Sequence, residues 1–333
     1  MSECIRLAHG GGGQLMRQLI AEEFRPLHGG GSPLHDAATI EPPGGRLAFT
    51  TDGYVVQPLE FPGGDIGRLA VTGTANDLAM AGARPLHLSV AMVLEEGLPL
   101  AQLRRIVASM AAAARECGVV IRTGDTKVVE RGKGDGLFIT TSGVGQVEAS
   151  RPIGPGSIRP GDRLVVSGDL GRHGLAILAI RHGLELEPPV ASDCAPLWPA
   201  VERLLQAGVH PHLLRDLTRG GLAAVLQELA EDSGCPFRIE EGALPLHPAV
   251  ERVCDLLGLD PLQLANEGRF LLVVAPDQLE AAMAVLGPEG GVCIGEVGRP
   301  AEAGPVPDVV LRTPYGTQRC LPPVSGELLP RIC

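Results

Sequence analysis

Aromatic side chains are scarce in this 333-residue sequence, which has one Trp, two Tyr and six Phe. Its interior must be filled by aliphatic residues, as suits an α/β protein. Positive charge is also short: the net charge of −11 argues against a broad phosphate-coating nucleic-acid surface. It leaves room for a small phosphorylated ligand bound through metal ions. No apolar run is long enough to span a bilayer, and no charged-then-apolar leader opens the sequence, so the expectation is a cytoplasmic protein without membrane contact. The eight cysteines are scattered, with no CxxC pair, which fits neither a disulfide framework nor a zinc site. HExxH and GxSxG are absent, and no GK[ST] follows the glycine run His9–Gly13. Zinc-protease, nucleophile-elbow and Walker-type readings are thereby set aside.

What is present suggests two domains, each with its own core. In the first half, DIGRLAVTGTANDLAMAGA reads as a helix with small residues on one side, and HLSVAMVLE as a central strand. Pro99 opens the clearest helix, with Leu103, Ile106, Val107, Met110, Ala114 and Cys117 as its apolar stripe. Gly118 falls where a C-terminal cap belongs. RLAFTTDGYVV reads as a strand broken at Asp52-Gly53, and VVIRTGDTKVV as a strand entering a polar turn. The Pro- and Gly-rich SRPIGPGSIRPGD marks a boundary. The expected division is 1–152, a first α+β domain; 153–310, a second α+β domain; and 311–333, a flexible tail.

Asp52, Asp77 and Asp125 each sit beside small turn residues. Three carboxylates pointing into a common cleft would suit a hard cation such as Mg²⁺, with Asn76 as a neutral oxygen and Lys127 as a charge for phosphate. Taken singly, each is also ordinary turn punctuation. His9 with Gly10 and Gly11 permits close backbone approach to an anion, or forms a simple linker. In DLTRGG, Arg219 and Gly220 open a helix and are either ligand contacts or a plain helix start. Glu267, just before the strand FLLVV, is either a tuned base or a surface partner of Arg269. Cys333, the last residue, is a thiol that no core requires.

In order, TTDGYVVQPLEFPGGDIGRLAVTGTANDLAMAGA, RTGDTKVV, GDLGRHGLAIL, LRDLTRGGLA and NEGRFLLVV resemble the ATP-using superfamily of aminoimidazole ribonucleotide synthetase. That superfamily includes selenophosphate synthetase and thiamine-monophosphate kinase. The closing PRIC is similar to the hydrogenase-maturation HypE branch in particular. A selenophosphate synthetase would carry its cysteine or selenocysteine within the glycine-rich N-terminal segment, whereas Cys4 precedes it here. A non-catalytic thiol carrier is the rival from another class.

The resemblance implies two α+β domains per chain and a homodimer whose first-domain sheets form a barrel-like interface. It implies that Cys333 receives a carbamoyl group from a HypF-type carbamoyltransferase. ATP-dependent dehydration then yields a thiocyanate, whose cyanide passes to a HypC–HypD complex for a [NiFe]-hydrogenase. By the same resemblance, Asp52, Asp77 and Asp125 hold Mg²⁺, with Asn76 nearby. His9, Gly10 and Gly11 belong to a flap over ATP. Asp125, Thr126, Lys127, Arg219 and Gly220 also contact the nucleotide. Glu267 takes the amide proton, and Lys127 acts on the phosphate or carbamoyl oxygen, with Lys133 as competitor for that role. Arg331 is a candidate for favouring the thiolate during loading.

Overall fold

The computed structural model describes residues 4–10, 14–24, 27, 44–300, 309–321 and 331–333. Among these, α1 (Gln14–Leu19) precedes a four-stranded sheet of β1 (Leu47–Tyr54), β4 (Ala83–Glu95), β5 (Val120–Val129) and β6 (Leu137–Val147), in the order β1-β6-β4-β5. A short ribbon, β2 (Glu60–Phe61) with β3 (Gly64–Asp65), leads into α2 (Ile66–Met80), and α3 is Leu100–Glu116. The second sheet has the order β13-β12-β9-β11-β7-β10-β8. Its strands are β7 (Arg163–Val166), β8 (Leu213–Asp216), β9 (Phe237–Glu240), β10 (Phe270–Val274), β11 (Val292–Val297), β12 (Val309–Arg312) and β13 (Gln318–Cys320). The accompanying helices are α4 (Arg172–His182), α5 (Trp198–Gln206), α6 (Gly221–Ser233), α7 (Pro248–Leu257) and α8 (Leu279–Leu286).

Helix α2 is the hinge of the packing. Asp65 caps it, accepting from the Arg68 amide at 2.8 Å. All but Arg68 and Asp77 of its residues are buried. It lies on the first sheet and α3 and also touches β8 and α5 of the second half. A helix buried all round cannot carry long side chains, which accounts for its run of Gly, Ala and Thr. Tyr54 fills the space over Gly73, and its hydroxyl meets Thr74 Oγ1 at 3.2 Å. The apolar stripe expected for α3 is buried throughout, Cys117 included, and Gly118 takes the left-handed conformation at its end.

Two expected breaks are not breaks. β1 continues through Asp52 and Gly53, which pair with Thr141 and Thr140 of β6. β5 likewise continues through Gly124-Asp125-Thr126-Lys127 along β4. Continuous pairing with a neighbouring strand overrides the local turn preference of DG and GD. Beyond residue 310, Leu311 and Arg312 pair with β9, and Gln318–Cys320 form the outer strand of the second sheet.

A Cβ at Gly67 would fall 2.7 Å from the Ile106 carbonyl oxygen and 2.6 Å from Met110 Cγ. Gly67→Ala is therefore expected to push α2 from α3 and cost about 1–3 kcal/mol, read as an earlier midpoint in urea unfolding.

Candidate functional site

The sequence candidates divide between two places. Along β1, Thr50, Asp52 and Tyr54 alternate toward α2, where the Thr50 hydroxyl donates to Asp77 at 2.9 Å and Tyr54 meets Thr74. Asp52 shares a cross-strand row with Thr141, Val90 and Gly124, whereas Asp125 shares the row of Gly53, Thr140 and Ala91. A one-residue offset reverses the face of a sheet. Asp125 thus lies on the opposite edge strand and the opposite face from Asp52. Within one chain the three carboxylates do not share a cleft. Asp125 instead binds Lys127 Nζ at 2.9 Å, in a pair with both side chains more than 60% exposed. Thr126, between them, is buried on the helix side, and Lys133 is exposed in the following turn.

Asp52 and Asp77 do meet two other acids. Asp77 is pushed up to about 7, by burial first and then by the charges of Asp216 and Asp52. Burial also raises Asp216, at the end of β8, and Asp52 adds to the effect. Glu267 is 3% exposed, and its carboxyl is pushed well above the carboxylate range by burial, with Asp216, Asp193, Asp52 and Asp77 contributing. Its Oε1 is buried and has no hydrogen-bond partner among the described residues. The surface pairing with Arg269 is not formed: Arg269 binds Asp169 instead.

A rigid frame holds the Glu267 backbone. Asp193 accepts from the Glu267 and Gly268 amides, each at 3.2 Å. A Cβ at Gly268 would collide with the Asp193 carbonyl oxygen, so glycine is what allows this approach. Asn76 donates to the Glu267 carbonyl at 3.3 Å and to the Ala195 carbonyl at 3.1 Å, and accepts from the Leu197 amide at 2.8 Å. Its amide is thus engaged in holding the frame rather than aimed at a ligand. Asn266 fastens the next turn, accepting from Gly171 at 2.7 Å and donating to Leu217 and Leu264.

Cys333 comes to this acidic centre. Burial raises its thiol well above the ordinary value, and Glu267 is the first charged neighbour to add to that, followed by Asp52 and Asp216. The cation that opposes the rise is Arg219. Arg331 is turned away, its guanidinium on Asp135 and the Val55 carbonyl. Gly220 and Gly221 have positive φ, and a Cβ on Gly221 would strike the Leu262 and Leu264 carbonyls, so close packing already requires a glycine at 221. His9 folds back on its own turn, Nδ1 accepting from the Arg6 amide at 2.9 Å, and that turn, which ends at Gly10, packs against β5. Gly11 lies outside the described residues.

Sequence reasoning passed over Asp216, Asp193, His173 and Arg181. Asp216 and His173 stand inside the quoted segments DLTRGG and GDLGRHG, which was a usable signal. Asp193 and Arg181 carried none.

The AIR synthase related protein family matches in two parts, its N-terminal domain over residues 34–147 and its C-terminal domain over 159–305. The carbamoyl dehydratase HypE of Rhodobacter capsulatus is 52% identical over 99% of this chain and 98% of its own. A crystal structure of the hydrogenase maturation protein HypE in complex with ATP superposes with a TM-score of 0.92 at 45% identity, covering 98% of this chain and 99% of that one. A crystal structure of a HypE–HypF complex matches with a TM-score of 0.80 at 40% identity, over 93% of this chain and 99% of that chain.

The raised carboxyl of Glu267 fixes a pH trend. In the unfolded chain a Glu ionises near pH ~4.3, while the folded group keeps its proton to higher pH. Its contribution is therefore fully present below the unfolded value and is lost as pH rises toward the folded one. In protein free of metal and nucleotide, Glu267→Gln is expected to gain stability over the wild type steadily from pH 5 to pH 8 in denaturant titrations. A difference that does not change with pH would contradict a neutral Glu267.

Proposed function

This chain belongs to the HypE family of carbamoyl dehydratases of hydrogenase maturation, and from that premise we propose that it dehydrates a carbamoyl group carried on Cys333 Sγ to a thiocyanate, with hydrolysis of ATP. The observation that carries this reading is the seat of the Cys333 thiol beside the carboxyl of Glu267, whose buried Oε1 has no hydrogen-bond partner among the described residues. A thiol that served no chemistry would have no reason to be brought to an acidic centre.

An amide oxygen is a very poor leaving group. Transfer of the ATP γ-phosphoryl to the carbamoyl oxygen converts it to a phosphate ester, and departure of phosphate then leaves S–C≡N. Two protons leave the nitrogen, one as the oxygen is phosphorylated and one as phosphate departs. Glu267 takes the first, because a desolvated carboxylate is a stronger base than one in water, and the second leaves on the departing phosphate, which goes as HPO₄²⁻. Its backbone is clamped by Asp193 and Asn76, and catalytic carboxyls need such fixed placement. Lys127 or Lys133 supplies positive charge toward the transferring group.

The residues also fit a divalent cation. Asp216 and Asp52 both lie close enough to raise Asp77, and Asp52 close enough to raise Asp216. Among the described residues no three His, Cys, Asp or Glu side chains form a metal cage. Mg²⁺ does not need one, since it takes one or two carboxylates and completes its shell with water and phosphate oxygens. Asp52 and Asp77 would hold it, where it would neutralise phosphate charge. Asp125 and Lys127 face the open side of the first sheet, the same face that carries exposed Leu47 and Phe49 on the far edge strand. That uncovered face supports a homodimer through the first sheet, in which Asp125, Lys127 and the Thr126 backbone approach the nucleotide across the interface. His9, Gly10, Gly11, Arg219 and Gly220 complete the ATP contacts in this reading.

The partners follow from the chemistry: a HypF-type carbamoyltransferase loads the thiol, and a HypC–HypD-type complex accepts the cyanide, in the cytoplasm. The proposed domain limits are 1–152, 153–310 and 311–333.

The test is intact-protein mass spectrometry after incubation with carbamoyl phosphate, a HypF-type partner and ATP. Wild-type protein is expected to gain one carbamoyl group and then lose one water only while ATP is hydrolysed, and Cys333→Ala to do neither. Glu267→Gln is expected to load normally but lose water about 10²–10⁴-fold more slowly, the range for a removed general base. ATP turnover without any mass change would sink the thiol chemistry, and loading without turnover would favour a carrier.

A further inference from the structure

The last three residues present three backbone carbonyls, and each has its own donor. The Cys333 carbonyl accepts from the Val55 amide at 3.1 Å. The Arg331 carbonyl accepts from the Gln57 amide at 3.3 Å and from the Arg181 guanidinium. The Ile332 carbonyl lies 2.9 Å from Nε2 of His173. Ile332 is buried in the core of the first half, and Arg331 has a left-handed backbone, φ 56°, that turns its own side chain out to Asp135.

His173 is built for this contact. A peptide carbonyl can only accept, so Nε2 carries the proton. Nδ1 is then the acceptor, 2.8 Å from the Ser192 hydroxyl, whose oxygen in turn accepts from the Cys194 amide at 3.1 Å. Phe61 packs against the ring edge to face, with centroids 5.4 Å apart. The ring is thus fixed in place and in tautomer from the side away from the tail. Arg181 is braced in the same way, its Nε donating to the Gln57 carbonyl at 2.6 Å.

We propose that His173 and Arg181 are the receptor for the terminal tripeptide: positioning residues that grip the Ile332 and Arg331 carbonyls and so govern how long Cys333 stays beside Glu267. Because the grip is on backbone carbonyls, it does not depend on what the sulfur carries. Free thiol, carbamoyl and cyano forms are held by the same contacts. Neither residue touches the reacting atoms. The purpose of the receptor rests on the thiol chemistry proposed above, but its test does not.

The test is the rate at which iodoacetamide labels each cysteine of the full-length protein, read by peptide mapping. In the wild type, half-buried Cys333, held down by its backbone contacts, is expected to label more slowly than exposed Cys320. His173→Ala and Arg181→Ala should each speed Cys333 labelling about tenfold, the worth of one buried hydrogen bond. Cys320 and the core thiols Cys235 and Cys254 should keep their wild-type rates. His173→Gln, whose amide N–H reaches where Nε2 lies, is expected to restore most of the protection, and the shorter His173→Asn not to. Reactive Cys254 would mark a variant that has lost its fold, and the Gln-against-Asn comparison and Arg181→Ala then decide. Equal Cys333 rates in wild type and both alanine variants, or equal rates for Cys333 and Cys320 in the wild type, overturn the receptor.

Dehydration measured on the same proteins separates the two ideas. A wild type that protects Cys333 but never dehydrates its carbamoyl group refutes the chemistry and leaves the receptor. A wild type that dehydrates, with the alanine variants labelling at its rate, refutes the receptor and leaves the chemistry.

Discussion

The crowding of Asp52, Asp77, Asp216 and Glu267 at the junction of the two halves is the constraint to which the surrounding structure answers. Burial raises three of them, and each is made worse by the charges of the others. Carboxyls so placed would move apart or take up water unless the backbone around them were fixed. The fixing is done by α2, buried on nearly every side, with Asn76 tied to the Glu267, Ala195 and Leu197 backbone, and by Asp193 on the Glu267 and Gly268 amides. A site that crowds carboxyls in this way is prepared for cations and for a group that gives up protons. That links the scarcity of bulky side chains in α2 to the chemistry two elements away.

Much of this architecture could be read beforehand, and the parts that could not share a cause. The α3 stripe, the small-residue helix α2 and the strand after Glu267 follow from periodicity and size, which are local properties. The face of Asp125 is not local. It depends on the register of β5 against β4 and of β4 against β6, and a turn-like GDT says nothing about that register. The strands β9, β12 and β13 went unread because they are short and gain their pairing from distant neighbours.

The candidate site follows the same rule. Glu267 and Cys333 were identifiable as residues, but their meeting was not, since it joins the end of the chain to a loop before β10. Asn76 was legible as a polar residue in an apolar helix, yet its task is to hold backbone rather than a ligand. His173 and Arg181 act on carbonyls of a segment some 150 residues later, and no spacing in the sequence encodes that.

In the proposed chemistry, the docked thiol is suited to dehydration rather than to loading. Attack on an activated carbamoyl group needs a thiolate, and the docked site raises the Cys333 thiol through burial and through Glu267. In the same seat Ile332 is buried and Cys333 half-buried, so a second protein delivering its group would meet a partly covered sulfur. Once the sulfur is carbamoylated it carries no proton to lose, and the acidity of the surroundings no longer opposes its presence. The environment that suppresses the free thiol then acts on the amide nitrogen, through the carboxyl of Glu267. In the proposed chemistry, one set of carboxyls thus disfavours loading at the docked position and equips dehydration there, so the seat of the thiol selects the second step.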